Sequence, residues 1–335
     1  PKTPKPQIIA RIHYIMGNAC CGKNEQSRGA NTLVGQRNRG SSKKESLEMA
    51  DHKFKRRCTY APNMKNFKNL KQIEDDKSID DYYEITDVLG KGSFGQVCRA
   101  KRVGADFECA IKTIQKKTLT KNAMLPQLMI QELTVLQKSS HPNIMSVNEI
   151  LEDDECFYIA TELLEGGELF DRMMDVQKFT EIQAAYILKQ VLLAINYMHN
   201  KNIAHRDLKP ENILLDSTDK DELEVKITDF GFACYFDPKQ GLDTVLGSAL
   251  YMAPELLAKQ SYNEKVDIWA IGVISYMLMT GRNPFPGVNK AAVKKMIMTK
   301  DIDYSKPYLQ ELSAEALNFI QSCLNRDVEA RSSAK

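Results

Sequence analysis

The sequence predicts an α+β chain of two lobes, a small β-rich one followed by a larger, mainly helical one. Three observations carry this. Between Tyr83 and Gln115 the runs "YEITDVLG", "GQVCRAKRV" and "ECAIKTIQ" are short, rich in Val, Ile and aromatics, and separated by glycine-containing turns, the pattern of antiparallel strands. From Gly167 onward the apolar spacing becomes helical, with Ala185, Leu188, Val191, Leu192, Ile195 and Met198 along one face of residues Glu181–Asn200. Further on, "DIWAIGVISYMLMTG" is apolar on every side, as suits a helix at the centre of a large domain.

The elements follow in chain order. Residues 1–71 hold 16 Lys+Arg against 4 Asp+Glu and the remaining residues 30 against 40, so the net charge of +2 hides a basic arm attached to an acidic body. The arm is rich in Lys, Arg, Asn, Ser and Gly and lacks hydrophobic periodicity, which predicts disorder. Its charge alone suits an anionic membrane surface or a nucleic acid equally well. The folded body is expected to start near Ser78. After the three strands, "QLMIQELTVLQKS" has helical spacing and "ECFYIATELL" returns to strand. The small lobe then spans about 82–163 and the large lobe about 167–335, joined around Leu163–Gly167. At 335 residues and 38.0 kDa the chain can bury a large core. The longest apolar segment, Ile268–Met279, is too short to span a bilayer. The eight cysteines show no CxxC pair and no Cys/His cluster at metal spacing, which argues against a zinc site. No apolar stretch resembles a secretory signal, so the thiols are expected reduced and the protein cytoplasmic.

Chemistry concentrates in a few stretches. "LGKGSFGQV" places Gly90, Gly92 and Gly95 in a G-x-G-x-x-G pattern. A dinucleotide fingerprint of that spacing should open a helix, but here a strand follows, so a glycine-rich hairpin covering a nucleotide is the better fit. "CAIK" ends in Lys112, and a partner carboxylate, Glu132, lies in the helical run "QLMIQELTVLQ"; the pair would hold the ammonium against nucleotide phosphates. "AHRDLKPENILL" (Ala204–Leu215) and "KITDFG" (Lys226–Gly231) supply Asp207, Asn212 and Asp229, oxygen ligands for a hard cation. A lone strand lysine or surface acid is ordinarily just solvated; the whole set in this order is not.

With these motifs the chain resembles the eukaryotic protein kinases: "LGKGSFGQV" as the glycine-rich loop, "CAIK" as the strand lysine, "HRDLKPEN" as the catalytic loop, and "DFG" and "APE" (Ala253–Glu255) around the activation segment. The resemblance covers about residues 82–335 and implies a bilobal kinase fold, with one main helix in the small lobe. It also implies ATP and Mg2+ as cofactors. Asp207 would then accept or orient the proton of the attacking hydroxyl, Lys209 would stabilise charge on the transferred group, and Asn212 and Asp229 would hold magnesium. Lys112 and Glu132 would form the ion pair on the α/β-phosphates. Adenine would sit between Leu89, Val97, Ala110 and Leu214, beside Thr161 and the Glu162–Leu164 backbone. Lys209 two residues after Asp207 is the serine/threonine form of the loop. Glu168 and Glu211 match positions that bind basic substrate residues. Arg206 resembles an arginine that pairs with an activation-loop phosphate, for which Thr244 is the candidate, with Asp237 or Asp243 as a substitute. Ser248 matches a threonine that contacts the catalytic pair, and Glu255 with Arg331 a structural ion pair. A scaffold with this fold and no turnover is disfavoured, because none of the catalytic positions is lost.

Within the kinases, "SIDDYYEITDVLGKGSFGQV", "EGGELFDR", "GRNPFPG" and "MGNACCG" resemble the calcium-dependent protein kinase family. That implies basic Ser/Thr-containing protein substrates, no nucleic-acid partner, and a calcium-sensing region beyond the chain end. No EF-hand loop is found, and the nearest candidate, Asp216–Glu224, lacks the glycine and the right oxygens. An active kinase of the same group without calcium control is the alternative. Only four residues follow Arg331, so the C-terminal end of the domain is expected to be incomplete. Translation from Met16 would give residues 1–15 no place in the mature protein. It would expose Gly17 to myristate, with palmitate on Cys20 and Cys21 and a basic run at His52–Arg57. Cys21 replaces the preferred Ser/Thr of that motif. With that acylation the cytoplasmic protein is expected at the cytoplasmic face of a membrane.

Overall fold

In the computed structural model the described residues are 70–91, 95–119 and 125–335. The small lobe is one six-stranded sheet. Its strands are β1 (Leu70–Gln72), β2 (Tyr83–Lys91), β3 (Gln96–Arg102), β4 (Glu108–Gln115), β5 (Val147–Glu152) and β6 (Cys156–Thr161), in spatial order β1-β5-β6-β4-β3-β2. All neighbours are antiparallel except β1, which lies parallel to β5. The strand sequences explain the sheet. In β4, Cys109, Ala110, Ile111 and Ile114 are buried, and β6 buries Phe157 to Thr161 without a break, as strands covered on both faces do. A short turn α1 (Lys116–Leu119) leads toward the one long helix of this lobe, α2 (Leu125–Lys138), which buries Leu128, Met129, Leu133, Val135 and Leu136.

The large lobe is helical around a single apolar core. Helix α3 (Leu169–Val176) is followed by α4 (Glu181–His199), whose start is fixed by a capping box: Thr180 Oγ1 accepts from the Gln183 amide while Gln183 reaches back to the Thr180 amide. Then come β7 (Ile203–Ala204), a 3₁₀ turn at Pro210–Asn212, the hairpin β8 (Ile213–Leu215) and β9 (Val225–Ile227), and β10 (Cys234–Tyr235) pairing with β7. A short α5 (Pro254–Leu257) precedes α6 (Lys265–Thr280), in which every residue from Val266 to Met279 is buried. Gly281, in the left-handed region at φ 65°, ends it. Helices α7 (Lys290–Thr299), α8 (Pro307–Gln310) and α9 (Ala314–Cys323) complete the lobe. Among the described residues no helix is long and apolar enough to cross a membrane.

Three expectations need correction. The ordered fold begins before Ser78: Leu70 to Gln72 already pair with β5, and Ile73 is buried, because a short apolar pair at the end of the basic arm finds an open sheet edge. A further strand, β5, was not foreseen. Finally, the inward stripe of α4 runs through Ala184, Ile187, Leu188, Val191, Ala194, Ile195 and Met198, while Ala185 is exposed and Leu192 only half-buried. Ala185 lies one residue, about 100°, off the stripe.

Candidate active site

The catalytic-loop residues are held from below by one carboxylate. Asp267, the lone acid inside the buried face of α6, is 1% exposed and accepts three hydrogen bonds: from the amides of His205 (2.9 Å) and Arg206 (2.8 Å) and from His199 Nε2 (2.8 Å). Burial works against its charge, but those donors and the neighbouring histidines hold its pKa below the usual carboxylate value. With that anchor the chain can keep Arg206 at φ 69°, a conformation a non-glycine side chain rarely adopts, and present the following Asp207. The sequence reading missed Asp267. Its signal was an acid in an otherwise unbroken apolar helix, where an ionised group must have partners.

Asp207 is 6% exposed and its carboxylate is spoken for on both oxygens. Oδ1 accepts from the Ser248 amide at 2.7 Å, and Oδ2 lies 3.0 Å from Lys209 Nζ, which also donates to Ser248 Oγ at 3.2 Å. Ser248 thus bridges the predicted catalytic Asp and Lys. Asn212 donates its side-chain amide to the Asp207 carbonyl at 2.9 Å, which leaves its Oδ1 as the acceptor available to a cation. Asp229, also left-handed at φ 57°, accepts from the Gly231 amide at 3.3 Å. Its negative charge raises the pKa of both Lys112 and Lys209.

From the small lobe, Lys112 Nζ meets Glu132 Oε1 at 2.8 Å, the predicted pair. Burial alone would push the ammonium toward neutrality; Glu132 and then Asp229 outweigh it and keep its pKa raised. The strand ladder sets Val97 opposite Lys112 and Gly90, and Ala110 beside Thr161, whose hydroxyl donates to the Ala110 carbonyl at 3.4 Å. Ala110 and Thr161 are buried, and Leu89 is largely exposed at the sheet margin. Leu214 sits on β8, bridged to Glu168. The Glu162 amide is committed to the Ser146 carbonyl (3.2 Å) and its side chain to Ser146 and Lys226, so at that residue only the backbone carbonyl is left to face a purine. A Cβ on Gly95 would run into the Thr113 carbonyl, so the loop can lie this close to the sheet only with glycine there. Gly92 lies outside the described residues, as do Gly17, Cys20, Cys21 and the basic run His52–Arg57.

Glu168 and Glu211 come together beside the catalytic loop. Burial, then the charges of Asp171 and Glu211, push the Glu168 pKa up to about 7. Glu211 is also raised, mainly by burial, and its Oε2 is buried without a hydrogen-bond partner among the described residues. Behind this site, Arg331 makes a two-pronged pair with Glu255 at 2.6 and 3.0 Å, fully buried, with Trp269 stacked under the guanidinium at 5.1 Å. Arg206 donates Nε to the Phe232 carbonyl at 2.7 Å and Nη1 to Tyr262, whose hydroxyl donates to the Thr244 carbonyl at 2.6 Å. The loop, the DFG region and the activation segment are therefore one hydrogen-bonded unit.

The residues present fit a magnesium–nucleotide complex. The donors at Asn212 and Asp229 are hard oxygens, and two half-buried lysines, Lys112 and Lys209, stand by to offset phosphate charge. Among the described residues no group of three or more His, Cys, Asp or Glu forms a metal cluster, so the ion would be completed by phosphate oxygens and water.

Two lobes, a glycine hairpin, a strand lysine paired to a helix glutamate and an acid-rich loop define a phosphotransferase of the kinase type. Residues 83–335 match the protein kinase domain family, and the chain belongs to it. It is 38% identical over 257 residues to calcium-dependent protein kinase 4 of Plasmodium berghei, covering 77% of this chain and 48% of that protein. It is 40% identical over 260 residues to calcium/calmodulin-dependent protein kinase type 1 of Macrobrachium nipponense, covering 77% and 74%. Against calcium/calmodulin-dependent protein kinase type 1B of Homo sapiens it is 38% identical over 261 residues, covering 78% and 74%. The chain thus spans about half the length of the Plasmodium kinase it matches.

Proposed function

We propose that this chain transfers the γ-phosphoryl group of ATP to serine or threonine hydroxyls in substrates that carry basic residues, and that it acts in calcium-linked signalling. The observation that carries the reading is the joint placement of Asp207, Lys209 and Ser248 in one hydrogen-bonded group, with Lys112 paired to Glu132. Lys112 would hold the α/β-phosphates. Asp207 would align the substrate hydroxyl and take its proton, its carboxylate steadied by the Ser248 amide. Lys209 would offset charge as the phosphoryl group moves. Asn212 and Asp229 would hold magnesium, which when bound neutralises charge on the phosphate oxygens. Little covalent help is needed in such a transfer, so positioning and electrostatics supply the rate.

Glu168, Glu211 and Asp171 support the basic-substrate reading. An unpartnered buried oxygen and a carboxylate held near neutrality are both relieved by an arriving guanidinium. A pH dependence follows. Glu168 is protonated below about 7 and ionised above it, whereas a substrate arginine stays charged throughout. For an arginine-containing serine peptide KM should fall between about pH 6 and about pH 8. For the same peptide with that arginine replaced by alanine, and for Glu168→Gln, the fall should vanish. Radiolabelled ATP transfer to the two peptides, with a Ser→Ala peptide as blank, tests both steps. Labelling of the blank, or equal pH profiles for the two peptides, would contradict the reading.

Calcium control rests on relatives named calcium-dependent or calcium/calmodulin-dependent kinases. Activation through Thr244, a basic arm ahead of strand β1 (Leu70–Gln72), and a membrane address through Gly17, Cys20 and Cys21 complete the proposal. The address needs a second acyl chain or a polybasic run beside the myristate, since one chain binds only marginally.

A further inference from the structure

Leu70 lies outside every motif above, yet it touches the packing that aims Glu132. We propose that β1, through Leu70, is a brace for helix α2, so that the segment leading out of the basic arm helps to position the Lys112–Glu132 pair. This rests on the kinase reading.

The strand register supplies the geometry. Parallel pairing sets Leu70 beside Ile150 and Gln72 beside Glu152. Side chains beside each other across a ladder share a face. Ile150 belongs to the cluster made with Leu128, Met129 and Leu133 of α2, and Leu70 packs on that cluster. One face over, Ile73 joins Tyr83 and Leu151 in the other small-lobe cluster. The strand is also pinned at its polar positions. Lys71 Nζ lies 2.7 Å from Glu149, Gln72 donates to the Glu152 carboxylate at 2.7 Å, and the Ile73 amide donates to the Glu152 carbonyl at 2.8 Å. Glu149 itself is buried and takes Tyr83 and Arg102 as further donors. The three-residue edge strand and the residue after it are held at four consecutive positions, Leu70 to Ile73, which makes it a docked element.

On α2, Glu132 follows Leu128 by four residues and Met129 by three, so the turn pressed on the cluster is the turn that carries the carboxylate. Oε1 is held by Lys112, while Oε2 is buried with no hydrogen-bond partner among the described residues. The aim of Glu132 therefore depends on how the helix is seated. Phe232 and Leu246, one residue past the DFG motif and one in the activation segment, pack on the same cluster as Leu70. One apolar cluster thus joins β1, the ion-pair helix and the activation segment.

Leu70→Asp in the full chain tests this. It is expected to lower kcat/KM for ATP about tenfold, equivalent to ~1.4 kcal/mol. Amide hydrogen exchange in α2 should quicken while α6 keeps its protection. Leu70→Ile should restore both. In a Glu132→Gln background, Leu70→Asp should cost nothing further, because the route it acts through is already cut. An additive loss in that background, or α2 exchange equal to wild type, would overturn the brace. If the wild-type chain transfers no phosphate, the kinase reading fails by itself, and the exchange comparison still decides the brace.

Discussion

Asp207→Asn is expected to lower kcat about 10²–10⁴-fold, the usual worth of a positioned proton acceptor, with KM for ATP little changed. The expectation comes from the geometry of one carboxylate. Asp207 is buried, takes the Ser248 amide on Oδ1 and faces Lys209 with Oδ2. The amide variant keeps the shape but replaces one oxygen with a donor, so either Lys209 or the Ser248 amide meets a second donor in place of its acceptor. Lys112 and the glycine hairpin, the proposed nucleotide contacts, are not touched. Steady-state transfer to a serine peptide at varied ATP separates the two parameters. A variant with wild-type kcat would remove Asp207 from the reaction.

Asp267→Ala should be the most damaging substitution for stability. It strips the acceptor from two backbone amides and from His199, all in the interior of the large lobe. An unsatisfied buried donor costs about 1–3 kcal/mol, so the three together cost roughly 3–9 kcal/mol, a large share of the ~5–15 kcal/mol that holds a domain folded. A fall in melting temperature of about 10 °C or more is the expected reading in a thermal melt, with loss of transfer activity as the catalytic loop loosens. Asp267→Asn, which keeps one acceptor oxygen, should fall between alanine and wild type. The sign of the pH effect follows from the lowered pKa of Asp267. Its contribution is complete at neutral pH and is lost as pH drops below the ordinary carboxylate range toward the folded value. An alanine variant that melts with wild type would show that the loop is anchored elsewhere.

How much of this was legible in the sequence differs by element. The glycine hairpin, Lys112, Asp207, Asn212 and Asp229 were readable because their chemistry is local: each sits in a short run whose spacing is the message. The Lys112–Glu132 pair was readable as a pairing across two elements of opposite periodicity, and it forms at 2.8 Å. Asp267 gave only a faint signal, an acid in an apolar helix, which near the helix start is easily taken for an ordinary helix-end charge. What gives it meaning is the arrival of the 199–206 region from elsewhere in the chain. Strand β5 was hidden by Glu149, a carboxylate in the middle of "VNEILE" that breaks the apolar alternation. It is buried only because Lys71, Tyr83 and Arg102 converge on it. Strand β1 was hidden by its surroundings, since "LKQI" sits at the end of a basic stretch and gains strand character only from the open edge of β5. In each missed case the deciding partner is dozens of residues away.

The buried Glu255–Arg331 pair has a consequence for how the protein is made. Its two members are 76 positions apart, and breaking it would leave a full charge with no counterpart in a dry interior. While the chain is still being synthesised, the end of the activation segment therefore has no stable seat until Arg331 has left the ribosome. A nascent chain stalled before that point is not a slower kinase but an unfinished one. Until Arg331 is made, Trp269 lacks the guanidinium that covers it in the folded protein.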